Sequence, residues 1–427
     1  MDQNGIDRIL TELGMHPDCC GLAACAENFR AGMVRGLAGD RSGMMMLPTF
    51  LSADGSVPRG VKVLVLDAGG TNLRRAVASF DERGTIVLEQ FAHRPMPGTR
   101  GEVSVDEFFD EVAEFLLPVL HESDRISFCF SYATTALPNG DGRLHHFCKE
   151  VRVRDSAGIE ICAELQKALR RKGVREGKRC VLLNDSVAAL LGGKASADRD
   201  YDSYLGYVYG TGTNCCYVER TENIQGAEGY RGARMIVNME SGIHVGFPRG
   251  EADRLLDLRS EFPGDHLFEK MMSGAYLGRL MALTARLCAE KGAFSGPGAA
   301  LIGGISAFDL KETGEFWSGE TPPALAALEE EDRQALRQIM DRLYERAAKL
   351  VAVTIGCVLT WTGVGRDPAR PVCVSIEGTT FRKSAALREY FFRYETEYLC
   401  REQGVHIALL EREDTTLAGT AVAGLLN

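Results

Sequence analysis

Apolar and polar positions in this chain switch between a period of about two and a period of about 3.6, and the switches mark out its elements. Val61 to Asp67, in "VKVLVLDAGGTNLRR", is an apolar run suited to a buried strand. "LRRAVASF" follows after a tight glycine turn and "TIVLEQFAH" after "DERG", which predicts a three-strand meander. Ser104 with Glu107 three residues on has the form of a capping box. It opens a helix in which Phe108, Phe109, Val112, Phe115 and Leu116 recur at helical spacing. The strand "RISFCFS", a helix around "AELQKALRRKG", the strand "CVLLND" and a short helix "SVAALLGG" complete the first half.

The second half repeats that order. "YLGYVYG" runs into the turn "GTGTN", "NCCYVE" pairs back, and "MIVNME" is a third strand. Long helices are expected over "LFEKMMSGAYLGRLMALTARLCAEKG" and "LEEEDRQALRQIMDRLYERAAKLVAVTIGCVL". The acidic run Glu329 to Asp332 reads as a helix start favoured by the macrodipole. A strand "VCVSIEG", a helix "SAALREYFFRYETEYL", a strand "HIALLE" and a final helix close the chain. The fold class is therefore α/β, two lobes of repeated βββαβαβα order with a cleft between them. Before the first strand, "GIDRILTELG" reads as an amphipathic helix and "PTFLSADGSVPRG" as a loop.

Composition narrows the function. The 427 residues are 45% hydrophobic, enough for a sizeable core in two or three domains. A formal charge of −10 and no basic stripe argue against nucleic acid as a partner. Thirteen cysteines without C-x-x-C spacing, several inside apolar runs (Cys129, Cys288, Cys357), read as reduced core thiols, and hence as a cytoplasmic protein. The acidic N-terminus does not fit a signal peptide, and "LVAVTIGCVLTWTG" is too short and too broken for a membrane span.

Each lobe carries a glycine turn directly after its first strand, "DAGGTN" and "GTGT". Glycines let backbone N–H groups approach an anion closely, and a neighbouring hydroxyl adds a donor, so the pair reads as two phosphate cradles. Asp67, at a strand tip, offers a hard oxygen ligand suited to Mg2+. The competing reading is a pair of hairpin turns whose glycines supply only positive φ. In "LLNDS" an Asn and an Asp at a strand end can bond vicinal hydroxyls, and the Asp can take a hydroxyl proton as it attacks phosphorus. Equally, the Asp can cap the helix that follows.

From about Val61 onward these motifs resemble, in order, those of the hexokinase family of sugar kinases, within the actin-like ATPase fold. "LDAGGTNLR" is similar to the family's first phosphate motif, "LLNDSVAAL" to its catalytic Asp segment and "GTGTNCCYVE" to its second phosphate motif. "VNMESG", "DRLLD" and "LFEKMMSGAYLG" continue the likeness, and "VSIEGTTFRKS" resembles the adenosine-side segment. The resemblance implies Asp185 as general base on the sugar 6-hydroxyl, with Lys149 beside the transferred phosphate. It implies Ser131, Asn184, Asn214, Glu240 and Glu269 on the hexose. ATP and Mg2+ would be held by Asp67, Gly69, Gly70, Thr71, Asn72 and Arg74, with Gly210, Thr211, Gly212 and Thr213 as the second cradle. Gly378 and Thr379 would line the adenosine side, and Asp67 is the metal candidate.

The substrate implied is glucose, with mannose or fructose as relatives, for a monomer or homodimer. The small lobe is expected over 60–182 plus 413–427 and the large lobe over 1–59 plus 183–412. Ala133, Cys148 and Ser241 depart from the family's usual Pro, Thr and Trp, and "EREDTTLAGT" departs from its usual glycine and basic residue. Those departures keep open a second reading, a hexose-binding sensor or regulatory protein with weak or no kinase activity.

Overall fold

The computed structural model describes residues 3–147, 151–196, 199–412 and 415–427. The apolar run ahead of the first glycine turn forms β1 (Val63–Ala68), buried along its whole length. β2 (Asn72–Phe80) and β3 (Ile86–Pro95) pair back antiparallel, with Arg74 facing Asp67 on one side and His93 on the other. β4 (Arg125–Phe130) and β5 (Arg179–Leu183) extend the other edge, parallel to β1, giving the order β5-β4-β1-β2-β3.

The second sheet repeats this plan. β6 (Ser203–Tyr209), β7 (Thr213–Arg220) and β8 (Arg234–Asn238) form the antiparallel meander, and β9 (Val372–Glu377) and β10 (Ile407–Leu410) add parallel to β6. The order is β8-β7-β6-β9-β10, continued past β8 by the two-residue strand Leu47–Pro48. In both sheets the meander and the parallel pair flank the first strand, so the repeated lobes read from the sequence are the observed architecture.

The helices fall where one face of each is apolar. α1 (Gln3–Glu12) and α2 (Leu22–Leu37) precede the sheets. α3 (Val105–Leu116) begins at Ser104, whose side chain and that of Glu107 form the expected capping box. α4 (Ile161–Arg171) packs beside α3 over the small-lobe core of Leu64, Phe108, Phe128 and Leu165. α5 (Asp185–Ala195) leaves β5 and lies on β6 and β9. In the large lobe follow α6 (Glu251–Leu258), α7 (Leu267–Met272), α8 (Gly274–Glu290), α9 (Gly296–Gly303), α10 (Leu310–Trp317) and the 33-residue α11 (Glu330–Thr362). α12 (Thr379–Lys383), α13 (Ala385–Tyr394) and α14 (Thr415–Leu426) complete the chain. Buried Arg346 of α11 bonds Asp253 of α6 at 2.5 Å, and Arg342 holds both carboxylate oxygens of Asp7, tying α1 to α11.

Three expectations change. The segment read as one helix from Leu267 is two, broken where Ser273 turns extended (φ −71°, ψ 162°). The break lets the first amides of α8 bond the second glycine turn, Gly274 N to Gly210 O at 2.8 Å and Ala275 N to Thr211 O at 3.1 Å. The helix expected through Leu399 passes after Tyr394 into a π-helical turn, Glu395–Glu402. α2, α6, α9, α10 and α12 are helices that the sequence pattern does not announce. Among the described residues no helix is long and apolar enough to cross a membrane, and the described cysteines are free.

α14 packs on β1 and β4 of the small sheet and against α5, which lies on the large one. Their contact is backbone on backbone: a Cβ on Gly419 would collide with the Ala188 carbonyl oxygen and meet the Gly192 amide nitrogen at 2.5 Å. On an exposed helix Gly→Ala stabilises by about 1 kcal/mol. Here Gly419→Ala is expected to destabilise by about 2–4 kcal/mol, because neither neighbour is a side chain that can swing away. Equilibrium denaturation checks this, and a stabilised variant contradicts the contact.

Candidate active site

The parallel strands bring their C-terminal ends to one edge, and the functional side chains emerge there. Asp67 ends β1, Ser131 follows β4 with its amide on the Ala68 carbonyl at 3.1 Å, and Asn184 and Asp185 follow β5. Asn184, not Asp185, is the cap of α5: its Oδ1 accepts from the Ser186 amide at 2.9 Å and the Ser186 hydroxyl at 2.8 Å. Asp185 is the first helical residue, and its Oδ1 accepts from the same amide at 2.9 Å.

Three of the candidate hexose residues, Asn184 (by way of Ser186), Asn214 and Glu240, form a hydrogen-bonded group around a residue the sequence does not single out, Asn238 at the end of β8. Its Oδ1 accepts from Asn214 Nδ2 at 2.8 Å and from the Ser186 hydroxyl at 3.4 Å, and its Nδ2 donates to Glu240 Oε1 at 2.7 Å. Asn214 is buried, and its Oδ1 accepts from the Cys215 and Ser241 amides at 2.7 and 3.2 Å. Asn214 thus frames Asn238 and the Glu240 turn from inside the protein. Glu240 holds a left-handed backbone (φ 49°, ψ 48°), a costly conformation for a non-glycine residue that concentrates at functional sites. Glu269, early in α7, takes the Thr213 amide on Oε2 at 3.0 Å.

The two glycine turns are not explained by positive φ, since Gly69, Gly210 and Gly212 all lie outside the left-handed region. Crowding is the reason at Gly212 alone. A Cβ on Gly212 would stand 2.5 Å from Glu269 Oε2, whereas one on Gly69 would meet nothing nearer than 3.8 Å, so that turn stays open to a ligand. Gly69, Gly70, Thr71, Asn72 and Arg74 share with Thr211, Phe91 and His93 one cavity of about 720 Å3. The Tyr132 hydroxyl donates to the Gly69 carbonyl at 2.9 Å and buttresses the first turn. Thr211 also borders a second cavity of about 720 Å3, lined by Gly274, Ala275, Lys311, Tyr344, Thr379 and Lys383. Gly378 backs that turn, with a Cβ on Gly210 only 3.5 Å from its Cα, and the Thr380 hydroxyl bonds the Gly210 carbonyl at 3.0 Å. Lys149 and Cys148 lie outside the described residues.

Electrostatics link the two sides. Burial pushes the Asp67 carboxyl above its ordinary value; its ion pair with Arg74 pulls the other way, and the charge of Asp185 adds to the rise. Burial likewise raises Glu240, offset in part by the Asn238 amide and reinforced by Asp185 and Glu269. Glu377, at the tip of β9, is raised by burial and feels both Arg74 and Asp185. Asp185 therefore stands within electrostatic reach of the Arg74 side and of the Glu240 side. Glu377 escaped the sequence reading because a Glu at a strand end carries no spacing signal.

A raised Glu240 has a sign that titration can check. The folded chain keeps this proton above the pH at which the unfolded chain loses it, so the stability Glu240 contributes is complete below the ordinary glutamate range and is lost as pH rises through the raised value. Glu240→Gln is expected to melt higher than the parent near about pH 8, with the gap closing toward about pH 4. A gap that widens on acidification contradicts the assigned direction.

Two family models described as Hexokinase match the chain, one over residues 6–195 and the other over residues 204–426, more than half of it. Hexokinase-3 of Oryza sativa subsp. japonica is 29% identical over 91% of this chain and 84% of its own. Human Hexokinase HKDC1 is 32% identical over 68% of this chain, which spans only 33% of that longer protein. Among solved structures, a hexokinase from Schistosoma mansoni complexed with glucose aligns over 99% of both chains at 21% identity with a TM-score of 0.77. Another hexokinase crystal structure covers 98% of this chain at 23% identity with a TM-score of 0.79. The motif order, the doubled sheet and these matches agree: the chain belongs to the hexokinase family.

Proposed function

We propose that this protein is an ATP-dependent hexokinase that phosphorylates the 6-hydroxyl of glucose and of related hexoses such as mannose or fructose. The observation that carries this reading is that residues of both glycine turns line one cavity while Asp185 lies within electrostatic reach of Asp67 and Glu377 on one side and of Glu240 on the other. A phosphate donor and a polyhydroxyl acceptor would meet at that carboxylate.

In the proposed mechanism the hexose hydroxyls pair with Ser131, Asn184, Glu240 and Glu269, and Asn214 and Asn238 hold that set in place. Such a polar site discriminates because a poorer substrate leaves its groups unpaired. Asp185 orients the 6-hydroxyl and accepts its proton as the oxygen bonds the γ-phosphorus and the bond to the β-phosphate bridge breaks. The Gly70, Thr71, Thr211 and Gly212 amides and the Thr71, Thr211 and Thr213 hydroxyls hold the phosphates, with the adenosine in the cavity of Thr379, while the Gly69, Gly210 and Thr213 amides are bonded within the protein. Mg2+ suits this donor set: it takes one or two carboxylates and completes its shell with phosphate oxygens and water. Asp67 would hold it, and among the described residues no three-ligand protein cluster competes. Held there, the ion would neutralise charge on the phosphate tail. We also assign the small lobe to 60–182 plus 413–427 and the large lobe to 1–59 plus 183–412, so that closure around the hexose excludes water from the donor.

Transfer from ATP to glucose, mannose and fructose, each with purified parent and Asp185→Ala, tests the reading. Turnover by the parent on at least one sugar is expected to fall about 10²–10⁴-fold in the variant, while calorimetry still detects hexose binding. A variant that retains near-parental turnover excludes Asp185 as the base. A parent that binds hexose but transfers nothing favours the sensor.

A further inference from the structure

The cavity of the two glycine turns has a wall that neither turn supplies. Phe91 and His93, on the edge strand β3, line it. His93 is there by register, in a row across the sheet with Arg74 and Asp67. Phe91, two residues earlier, shares that face by ordinary strand alternation, and an irregularity lies directly beside it. Ala92 pairs with Arg75 and Glu89 with Val77, so Gln90 and Phe91 together stand opposite Ala76. Gln90 adopts φ 50°, a left-handed backbone that a non-glycine residue rarely takes. Bulges of this kind are over-represented next to functional sites. Phe91 is 51% exposed, with its ring 6.4 Å from that of His93. A left-handed Gln and a bare aromatic both oppose folding, and nothing in the core requires either.

The cavity also needs donors. Asp67 is already bonded to Arg74, from Nε at 2.7 Å and from a second guanidinium nitrogen. Glu377 is a second carboxylate that feels Arg74, and Asp185 is near enough to act on both Asp67 and Glu377. A phosphate chain lying there meets acidic neighbours and an arginine that is already shared.

We infer that β3 is a third wall of the donor site: the His93 imidazole N–H donates to the phosphate tail of the nucleotide, and Phe91 covers that contact from solvent. The inference rests on the donor-binding reading above. It adds to the two glycine turns a contact made by a side chain of the outermost small-lobe strand. Neither residue is buried in the core, so both can be replaced without opening a cavity.

Calorimetric binding of inorganic tripolyphosphate and of the non-hydrolysable nucleotide AMPPNP, with Mg2+, separates the possibilities without turnover. His93→Ala is expected to weaken both probes by about 10-fold or more, the scale of one lost hydrogen bond to a charged group. His93→Gln, which keeps an N–H donor, is expected to recover part of the loss, and Phe91→Ala to lose less than His93→Ala. Glucose affinity is expected to stay at the parental value in all three. Tripolyphosphate affinity in His93→Ala within about twofold of the parent, or an equal loss for glucose, overturns the inference and leaves the kinase reading standing. A parent that binds neither phosphate probe overturns both.

Discussion

The site depends on a contact made mainly by backbone, with the Thr415 methyl as the side chain closest to it. α5 and α14 cross with Gly419 against the Ala188 carbonyl and Gly192 against Thr415, so two helices from opposite sheets approach as closely as backbones allow. That approach joins the lobes and fixes α5, and with it the strand-to-helix corner at which Asn184 caps and Asp185 begins the helix. A hydrophobic layer of Val65, Cys129, Leu190, Cys216, Ile236 and Val422 surrounds the crossing and draws on both sheets. Small residues where helices cross convert packing into precise placement, because there is no flexible side chain to absorb an error.

Around that fixed corner the chain sets two chemistries side by side. Toward the large lobe, amides and carboxylates interlock through Asn238, a residue that takes from two donors and gives to Glu240. Toward the small lobe, Arg74 serves Asp67 and the open glycine turn beside it. Carboxylates on both sides are raised by burial, and each feels Asp185, so the site holds its negative groups against their mutual repulsion. In the proposed reading a hexose would satisfy one set, and a nucleotide with its metal ion would relieve the other. The free protein spends folding stability on this arrangement, which is the usual relation between a polar site and its scaffold.

Much of this was legible in the sequence because it is local. The period-two runs gave the meanders, Ser104 and Glu107 gave the start of α3, and the order of glycine turns, "LLNDS" and "VNMESG" gave the family. What stayed hidden depends on partners far along the chain. The break at Ser273 exists because the α8 amides bond a turn some 60 residues earlier, and no propensity at Ser273 announces it. Asn238 reads as one more polar residue at a strand end until Asn214 and Ser186 are beside it. Phe91 and His93 sit in a stretch that reads only as a third strand, and the pairing that sets them in a row beside Arg74 shows in register, not in composition. Asp185 was read with a capping role as its rival; Asn184 does the capping, and that leaves the Asp available for chemistry.

The central claim is that one carboxylate at the crossing of two lobes joins a nucleotide donor to a hexose acceptor. Phosphorus NMR of a mixture of the purified protein, Mg-ATP and glucose tests it most directly, because it reports where the phosphate goes. The account predicts ADP and a hexose phosphate ester at carbon 6 in equal amounts, with little free phosphate and slow ATP consumption when the sugar is left out. Free phosphate released at the same rate with and without sugar, or an ester at another carbon, would contradict it.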